Sequence, residues 1–268
     1  MPDPIRIDDA DDPRVGDYFG LKDPEARRRT ERAAGIFVAE GFNVLGRLLA
    51  SPYPLRSVLL LPGKVERVVP LLAGLDVPVY VAERDVLERM TGFDLHRGVI
   101  ASADRGPEPD LDSVLHTARS FVVLEGLNDA ENLGAIARSA RALGADAMLL
   151  DERCADPLAR RSVRVSMGEI LHLPFVRLDP LPAGLERLRA AGVEVAALTP
   201  GAGSVSIHDW RPAERVAVLL GAEGPGLSEA AMAAASLRVR IPIRADVDSL
   251  NVGHAAAVAL AIVSGRRA

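Results

Sequence analysis

Residues 121–150 read FVVLEGLNDAENLGAIARSARALGADAMLL. Phe121 to Leu124 is an apolar run of strand length that stops at Glu125-Gly126. Asn128 or Asp129 then offers a side-chain oxygen to cap a helix. Leu133, Ile136, Ala137, Ala140 and Leu143 recur at helical spacing behind it, and Ala147 to Leu150 is a second apolar run. Strand, helix, strand within 30 residues predicts a parallel β-α-β unit.

Downstream the pattern repeats. Strand-like runs fall at Phe175 to Leu178, Val193 to Ala197, Val216 to Leu220 and Leu237 to Ile241, most of them separated by helical segments. Uninterrupted apolar strands divided by helices predict a mostly parallel sheet covered on both faces. Upstream, residues 34–104 alternate shorter elements. Phe42, Leu45, Leu48 and Leu49 have helical spacing, and Ser57–Leu61, Val77–Val81 and Gly98–Ser102 read as strands. Val65–Leu72 and Asp85–Met90 read as helices between them. This predicts a smaller α/β unit over residues 21–104. The polar, proline-containing run DRGPEPD at 104–110 opens a linker spanning 105–118, and the second unit occupies 119–268.

Residues 1–20 read as an acidic, mobile tail. Five aspartates and one arginine in residues 1–12 account for four of the five net negative charges of the 268-residue chain. The remainder is close to neutral and can carry a basic face, which is what phosphate contact requires. Two arginine clusters are candidates for phosphate contact: Arg27, Arg28 and Arg29, followed by Arg32, and Arg160, Arg161 and Arg164. Each is equally readable as a solvated helix face, the first paired with Glu25 and Glu31. The single Cys154 excludes an intrachain disulfide and fits a reducing, cytoplasmic setting. No cysteine–histidine cluster suggests a metal site. The apolar stretch Val252 to Val263 is too short to span a membrane, and the acidic N-terminus is not a signal peptide.

Three segments fall where the strands of such a sheet would end, the usual place for ligands. In Asn132-Leu133-Gly134-Ala135-Ile136-Ala137-Arg138, the polar pair flanks a glycine near a helix start. Arg138 alone reads as a surface arginine and Asn132 as a cap. Gly221-Ala222-Glu223-Gly224-Pro225-Gly226 follows a strand directly and predicts a tight loop with exposed amides. Its spacing is neither the dinucleotide fingerprint nor a phosphate loop. Glu223 is unexplained by the turn itself. In Ile241-Pro242 and Asp248 to Val252, Ser249 and Asn251 can cap the alanine-rich helix that follows.

In order and spacing these segments resemble the signature motifs of the SpoU/TrmH family of RNA ribose methyltransferases. N-x-G-x-x-x-R falls on Asn132, Gly134 and Arg138. G-x-E-G-x-G falls on Gly221 to Gly226, and I-P…S-L-N-V on Ile241, Pro242 and Ser249 to Val252. An S-M-G landmark falls on Ser166-Met167-Gly168. The N-terminal unit is similar to the family's ribosomal-protein-like substrate-binding domain at Phe37 to Gly41 and His96 to Ala101. The chain departs from the family in Gly253-His254, which stand before Ala255-Ala256.

The resemblance implies a C-terminal trefoil-knotted, parallel-sheet methyltransferase domain beside a smaller N-terminal α/β domain. It implies S-adenosyl-L-methionine as cofactor, bound near Leu198, Thr199, Gly221, Gly226, Ile241 and Leu250. It implies a homodimer through the C-terminal domain, in which the first motif of one subunit completes the site of the other. Asn132, Arg138, Glu223, Ser249 and Asn251 would be the catalytic set. The substrate would be a ribose 2'-hydroxyl of RNA, which DNA lacks, with 23S rRNA expected ahead of tRNA. The rival reading is a non-catalytic RNA-binding or ribosome-assembly protein on the same fold.

Overall fold

The computed structural model describes residues 3–201 and 203–265. It divides into two compact units. One runs to Pro107 and takes in Leu158–Leu171, and the other comprises Glu108–Pro157 and the chain from His172 onward.

The first unit is built on a five-stranded sheet of order β1-β4-β3-β5-β2. Its strands are β1 (Pro4–Ile7), β2 (Ile36–Glu40), β3 (Leu55–Leu60), β4 (Val79–Ala82) and β5 (Val99–Asp104). Strands β1, β4 and β3 run parallel, while β5 is antiparallel to β3 and β2. Helices α1 (Pro24–Ala34), α2 (Phe42–Leu49), α3 (Val65–Val68) and α4 (Arg84–Thr91) connect them.

The expected mobile tail is corrected here. Strand β1 pairs with β4 along its whole length, and Pro13–Tyr18 forms a 3-10 helix capped by the Asp12 side chain. Ile7, Val15 and Tyr18 are buried in the unit's core, and the Tyr18 hydroxyl hydrogen-bonds Ser57 Oγ at 2.7 Å. Counting charge hid these three apolar anchors. They bury enough surface to hold the segment although every residue between them is polar or small.

The second unit carries a seven-stranded, fully parallel sheet of order β10-β12-β9-β11-β6-β7-β8. The strands are β6 (Ser120–Glu125), β7 (Ala147–Leu150), β8 (Phe175–Arg177), β9 (Glu194–Leu198), β10 (Val205–Ser206), β11 (Val216–Gly221) and β12 (Leu237–Arg240). Every residue of β6 and β7 is buried, as a sheet covered on both faces requires. Two-residue β10 is too short to leave a periodic signal.

Helix α5 (Leu111–Thr117) lies inside the 105–118 span expected as linker. Its Leu111 and Val114 pack into the second unit's core, and Asp110 caps it by accepting from Ser113 N–H. Helix α6 (Ala130–Ala142) begins at the predicted cap Asp129, which accepts from Glu131 N–H. The chain leaves this unit at Pro157 for an excursion bearing α7 (Arg160–Val165), which packs on β2 in the first unit. It then forms α8 (Leu181–Ala190), α9 (Glu229–Ala234) and α10 (Val252–Ser264), and α10 packs along α6.

Candidate active site

Three neighbouring strands, β12, β9 and β11, end side by side at Arg240, Leu198 and Gly221, with Ile241 and Thr199 just beyond the first two. Their ends frame a cavity of about 330 Å3, closed by the 241–250 segment and the first turn of α10. All six residues expected to hold a cofactor (Leu198, Thr199, Gly221, Gly226, Ile241 and Leu250) line it, as do Glu223 and Ser249. Asp248, which opens the third segment but was given no role there, and Ile243, which the sequence did not single out, line it too.

The glycine loop explains its own composition. A Cβ on Gly221 would overlap the carbonyl of Gly226 and the amide nitrogen of Leu227, so the loop can fold back only over glycine. Gly224 and Gly226 have φ of 87° and 69°, left-handed backbone that side chains disfavour. Gly226 N–H donates to Ala222 O at 3.0 Å and closes the loop. Glu223 is thereby held at its tip.

Asn251 is the hub of the polar groups. Its Oδ1 accepts from the N–H groups of Gly253 (2.9 Å) and His254 (3.3 Å), which makes it the cap of α10. Its amide then donates one hydrogen to Glu223 Oε1 at 2.7 Å and the other to Asn132 Oδ1 at 2.9 Å. Val252 N–H also donates to Glu223 Oε1, at 3.3 Å. Only a side-chain amide meets all these demands: aspartate has the oxygen but no donors, and alanine has neither. Glu223 Oε2 and Asn132 Nδ2 have no partner among the described residues. Asn251 does the capping, and Ser249 lines the cavity instead.

Arg138 is not brought to this cluster. Six residues turn a helix through about 600°, leaving it about 240° around α6 from Asn132. It is exposed and has no hydrogen-bond or ion-pair partner among the described residues.

The arginine clusters divide differently. Arg27 is corrected from an RNA contact to a buried structural residue, 6 % exposed. It donates to Glu31 Oε1 at 2.9 Å, to Phe19 O at 3.2 Å and to Asp17 O. Burial of a cation demands such partners. Arg28 and Arg29 are exposed and without a partner among the described residues, and the expected pairing with Glu25 lies outside the described side chains. Arg160 donates to Glu40 and lies over the Phe93 ring, 4.4 Å from its centre. Arg161 is exposed, and Arg164 is half-buried without a partner among the described residues. Ser166, Met167 and Gly168 form the tight turn after α7, with Met167 itself at a φ of 56°.

Two features went unread in the sequence. Glu125 ends β6 in register with Gly221 on β11 and is 5 % exposed. It accepts from Ser228 N–H at 2.8 Å and Ser228 Oγ at 2.7 Å. Asp151, at the end of β7, accepts from Gly126 N–H at 2.9 Å and from Arg153 Nε at 3.0 Å. The only available signal was a carboxylate closing each of two apolar strand runs. Burial alone would raise the Asp151 pKa; hydrogen bonds from Cys154, Gly126 and Arg153 outweigh it and hold the carboxyl below its ordinary value.

The family model described as SpoU rRNA methylase matches residues 119–261, more than half of the chain. The chain belongs to the SpoU methylase family. A second model, described as RNA 2'-O ribose methyltransferase substrate binding, matches residues 38–109. This SpoU methylase is 44% identical over 257 residues to an uncharacterised tRNA/rRNA methyltransferase of Mycobacterium tuberculosis, covering 94% of this chain and 88% of that one. It is 29% identical over 255 residues to the 23S rRNA (guanosine(2553)-2'-O)-methyltransferase RlmP of Bacillus subtilis, covering 94% and 96%. Among solved structures, an AdoMet-bound rRNA methyltransferase from Sinorhizobium meliloti superposes with a TM-score of 0.81 at 25% identity over 98% of both chains. The chain is thus an RNA 2'-O-ribose methyltransferase, with a substrate-binding domain preceding a parallel-sheet catalytic domain.

Proposed function

We propose that this SpoU methylase transfers a methyl group from S-adenosylmethionine to a ribose 2'-hydroxyl of 23S rRNA, as a cytoplasmic homodimer. The observation that carries the reading is the Asn132–Asn251–Glu223 array beside the strand-end cavity. The full-length likeness to a 23S rRNA enzyme of Bacillus subtilis supports the choice of RNA. The knotted path of the chain implied by the family resemblance belongs to the same proposal. Among the described residues no helix is long and apolar enough to cross a membrane.

The cavity suits the cofactor. Its volume lies at the lower end of the roughly 300–1,000 Å3 usual for small-molecule sites. Leu198, Leu220 and Ile241 offer apolar walls to an adenine ring. Thr199, Ser249 and the loop amides offer polar contacts, and Glu223 supplies a carboxylate for positive charge. A side chain at position 221 would force the glycine loop away. When bound, S-adenosylmethionine supplies an electrophilic methyl on a sulfonium.

The protein's own work is positioning and electrostatics. Asn251 fixes Glu223 and Asn132 through one amide, so both are preset before RNA arrives. Arg138 stabilises negative charge as the 2'-oxygen attacks; a guanidinium hardly ever gives up its proton, so it is not the base. Since Arg138 lies off the Asn132 face, it serves the partner's cavity. Its free, exposed guanidinium and the exposed Val258 on α10 support a contact between copies. Arg28, Arg29 and Arg164 supply phosphate contacts.

The test uses unmodified 23S rRNA and bulk tRNA with methyl-labelled cofactor. Label is expected on 23S ribose, and Arg138→Ala or Glu223→Ala should lower kcat by about 100- to 1,000-fold, the size of losing one charge-stabilising group. Mixing the two inactive variants should restore activity, because one site of each mixed dimer is then intact. Label confined to tRNA, or no rescue on mixing, would overturn the substrate or the dimer respectively.

A further inference from the structure

A second cavity, of about 320 Å3, opens in the second unit and shares Ala222, Gly226 and Leu227 with the first. Gly126, Asn128, Arg153 and Pro225 complete its lining, above the buried Glu125. Its control is a fixed guanidinium. Arg153 Nε donates to Asp151 Oδ2 at 3.0 Å and Nη2 reaches Glu125 Oε1 at 3.5 Å. Both carboxylates are nearly inaccessible, with side-chain exposures of 5 % and 6 %, whereas that of Arg153 is 64 %. Glu125 already accepts two hydrogen bonds from Ser228, and Asp151 one from Gly126. The two acids therefore hold the guanidinium plane still at the cavity edge, with Nη1 unpartnered among the described residues.

We infer that this cavity takes an unstacked base of the RNA substrate, with Arg153 and Asn128 reading its face and edge. The inference rests on the reading of the chain as an RNA methyltransferase. Charge favours a base over a phosphate: the Arg153 guanidinium is already met by two buried carboxylates, so an anion gains little from it. Ala222, Pro225 and Leu227 offer apolar surface to a flat ring. The exposed amide of Asn128 can donate and accept at a base edge. Unstacked RNA bases are typically held this way, stacked on aromatic or guanidinium planes and hydrogen-bonded along their edges. The shared loop residues put the base site one loop away from the methyl-transfer cavity, as a nucleotide whose ribose is modified requires.

The experiment compares two single-stranded RNA oligonucleotides of equal length, one with bases and one fully abasic, by fluorescence anisotropy. Arg153→Ala should weaken the base-bearing RNA about tenfold, within the range of one lost stacking contact. It should leave the abasic RNA and cofactor affinity unchanged. In turnover on 23S rRNA, KM should rise with little change in kcat. Arg153→Lys should not rescue, because an ammonium has no plane to stack. Asn128→Ala, which leaves the buried acids paired, gives the same sign if Arg153→Ala fails to fold. Equal loss on both oligonucleotides would make Arg153 a phosphate contact, and no loss on either from both variants would remove the site. Failure of the wild-type protein to label 23S rRNA would sink that substrate and leave this binding comparison standing.

Discussion

Several arginines of the first unit and the polar groups around the strand ends of the second are used in opposite ways. In the first, arginines are held by that unit's own carboxylates: Arg27 by Glu31, Arg56 by Asp17 and Asp104, Arg84 by Asp94, Arg160 by Glu40. In the second, the polar groups around the strand ends keep open valences: Glu223 Oε2, Asn132 Nδ2, Arg153 Nη1 and all of Arg138 among the described residues. A saturated charge stabilises its surroundings, and an unsaturated one held in place by others is ready for a ligand. The same residue type in the same kind of cluster thus means different things.

Arg27 gives the strongest test. Arg27→Ala should destabilise the protein by about 3 kcal/mol in denaturant titration, because buried Glu31 loses its nearer cation and keeps the longer contact to Arg105, while the carbonyls of Phe19 and Asp17 lose a donor. RNA affinity of the folded fraction should not change. A variant that kept its stability and lost RNA binding would restore Arg27 to the phosphate contacts and break the comparison.

Gly221→Ala probes the open side. The new methyl would meet Gly226 and Leu227 backbone, which cannot rotate away as a side chain can. A loss of about 1–3 kcal/mol is expected from forced overpacking. Cofactor binding, followed by calorimetry, should weaken further because Glu223 moves with the loop. Retained cofactor affinity would separate the loop from the cavity.

How far the sequence carried the reading follows the same division. The buried parallel strands were legible because runs such as Phe121–Leu124 and Val216–Leu220 are apolar throughout. The three motifs were legible because their glycines and amides are demanded by local backbone: Gly221 by close approach, Asn251 by the cap. Tertiary saturation was not legible. Nothing local shows that Arg27 points at Phe19 and Asp17 backbone while Arg28 does not. Nor does local pattern bring Asp151 and Glu125, 26 residues apart in sequence, onto one guanidinium. The N-terminal segment failed for a related reason: its few anchors, Ile7, Val15 and Tyr18, are spaced too irregularly to register as an element.

Arg28 and Arg29 sharpen the comparison from inside the first unit, where they, like Arg164, have no carboxylate partner among the described residues. If they contact single-stranded phosphates, the Arg28→Ala, Arg29→Ala double variant should lower the slope of log affinity against log salt by about 1.4, at about 0.7 per phosphate. Stability should stay within about 0.5 kcal/mol, as for exposed sites. An unchanged slope would leave them a solvated helix face.

The smallest effect tests whether saturation or membership of a unit decides behaviour. Cys154 belongs to the second unit, yet it is buried, its sulfur 3.3 Å from Leu124 O and beside the Asp151 carboxylate. Burial first, and the neighbouring Asp151 carboxylate second, push its pKa up to about 12. A raised folded value means that the neutral thiol's contribution to stability is complete below the unfolded pKa of about 8.5 and is lost as pH rises towards the folded one. Denaturant titrations at pH 7 and pH 10 should therefore show a larger drop for the wild type than for Cys154→Ala. Iodoacetamide at pH 8 should leave the folded thiol unmodified, since the reacting thiolate is absent there. Rapid alkylation of the folded protein would show that groups near the strand ends stay open even when their valences are filled, and the saturation criterion would then fail where it is needed most.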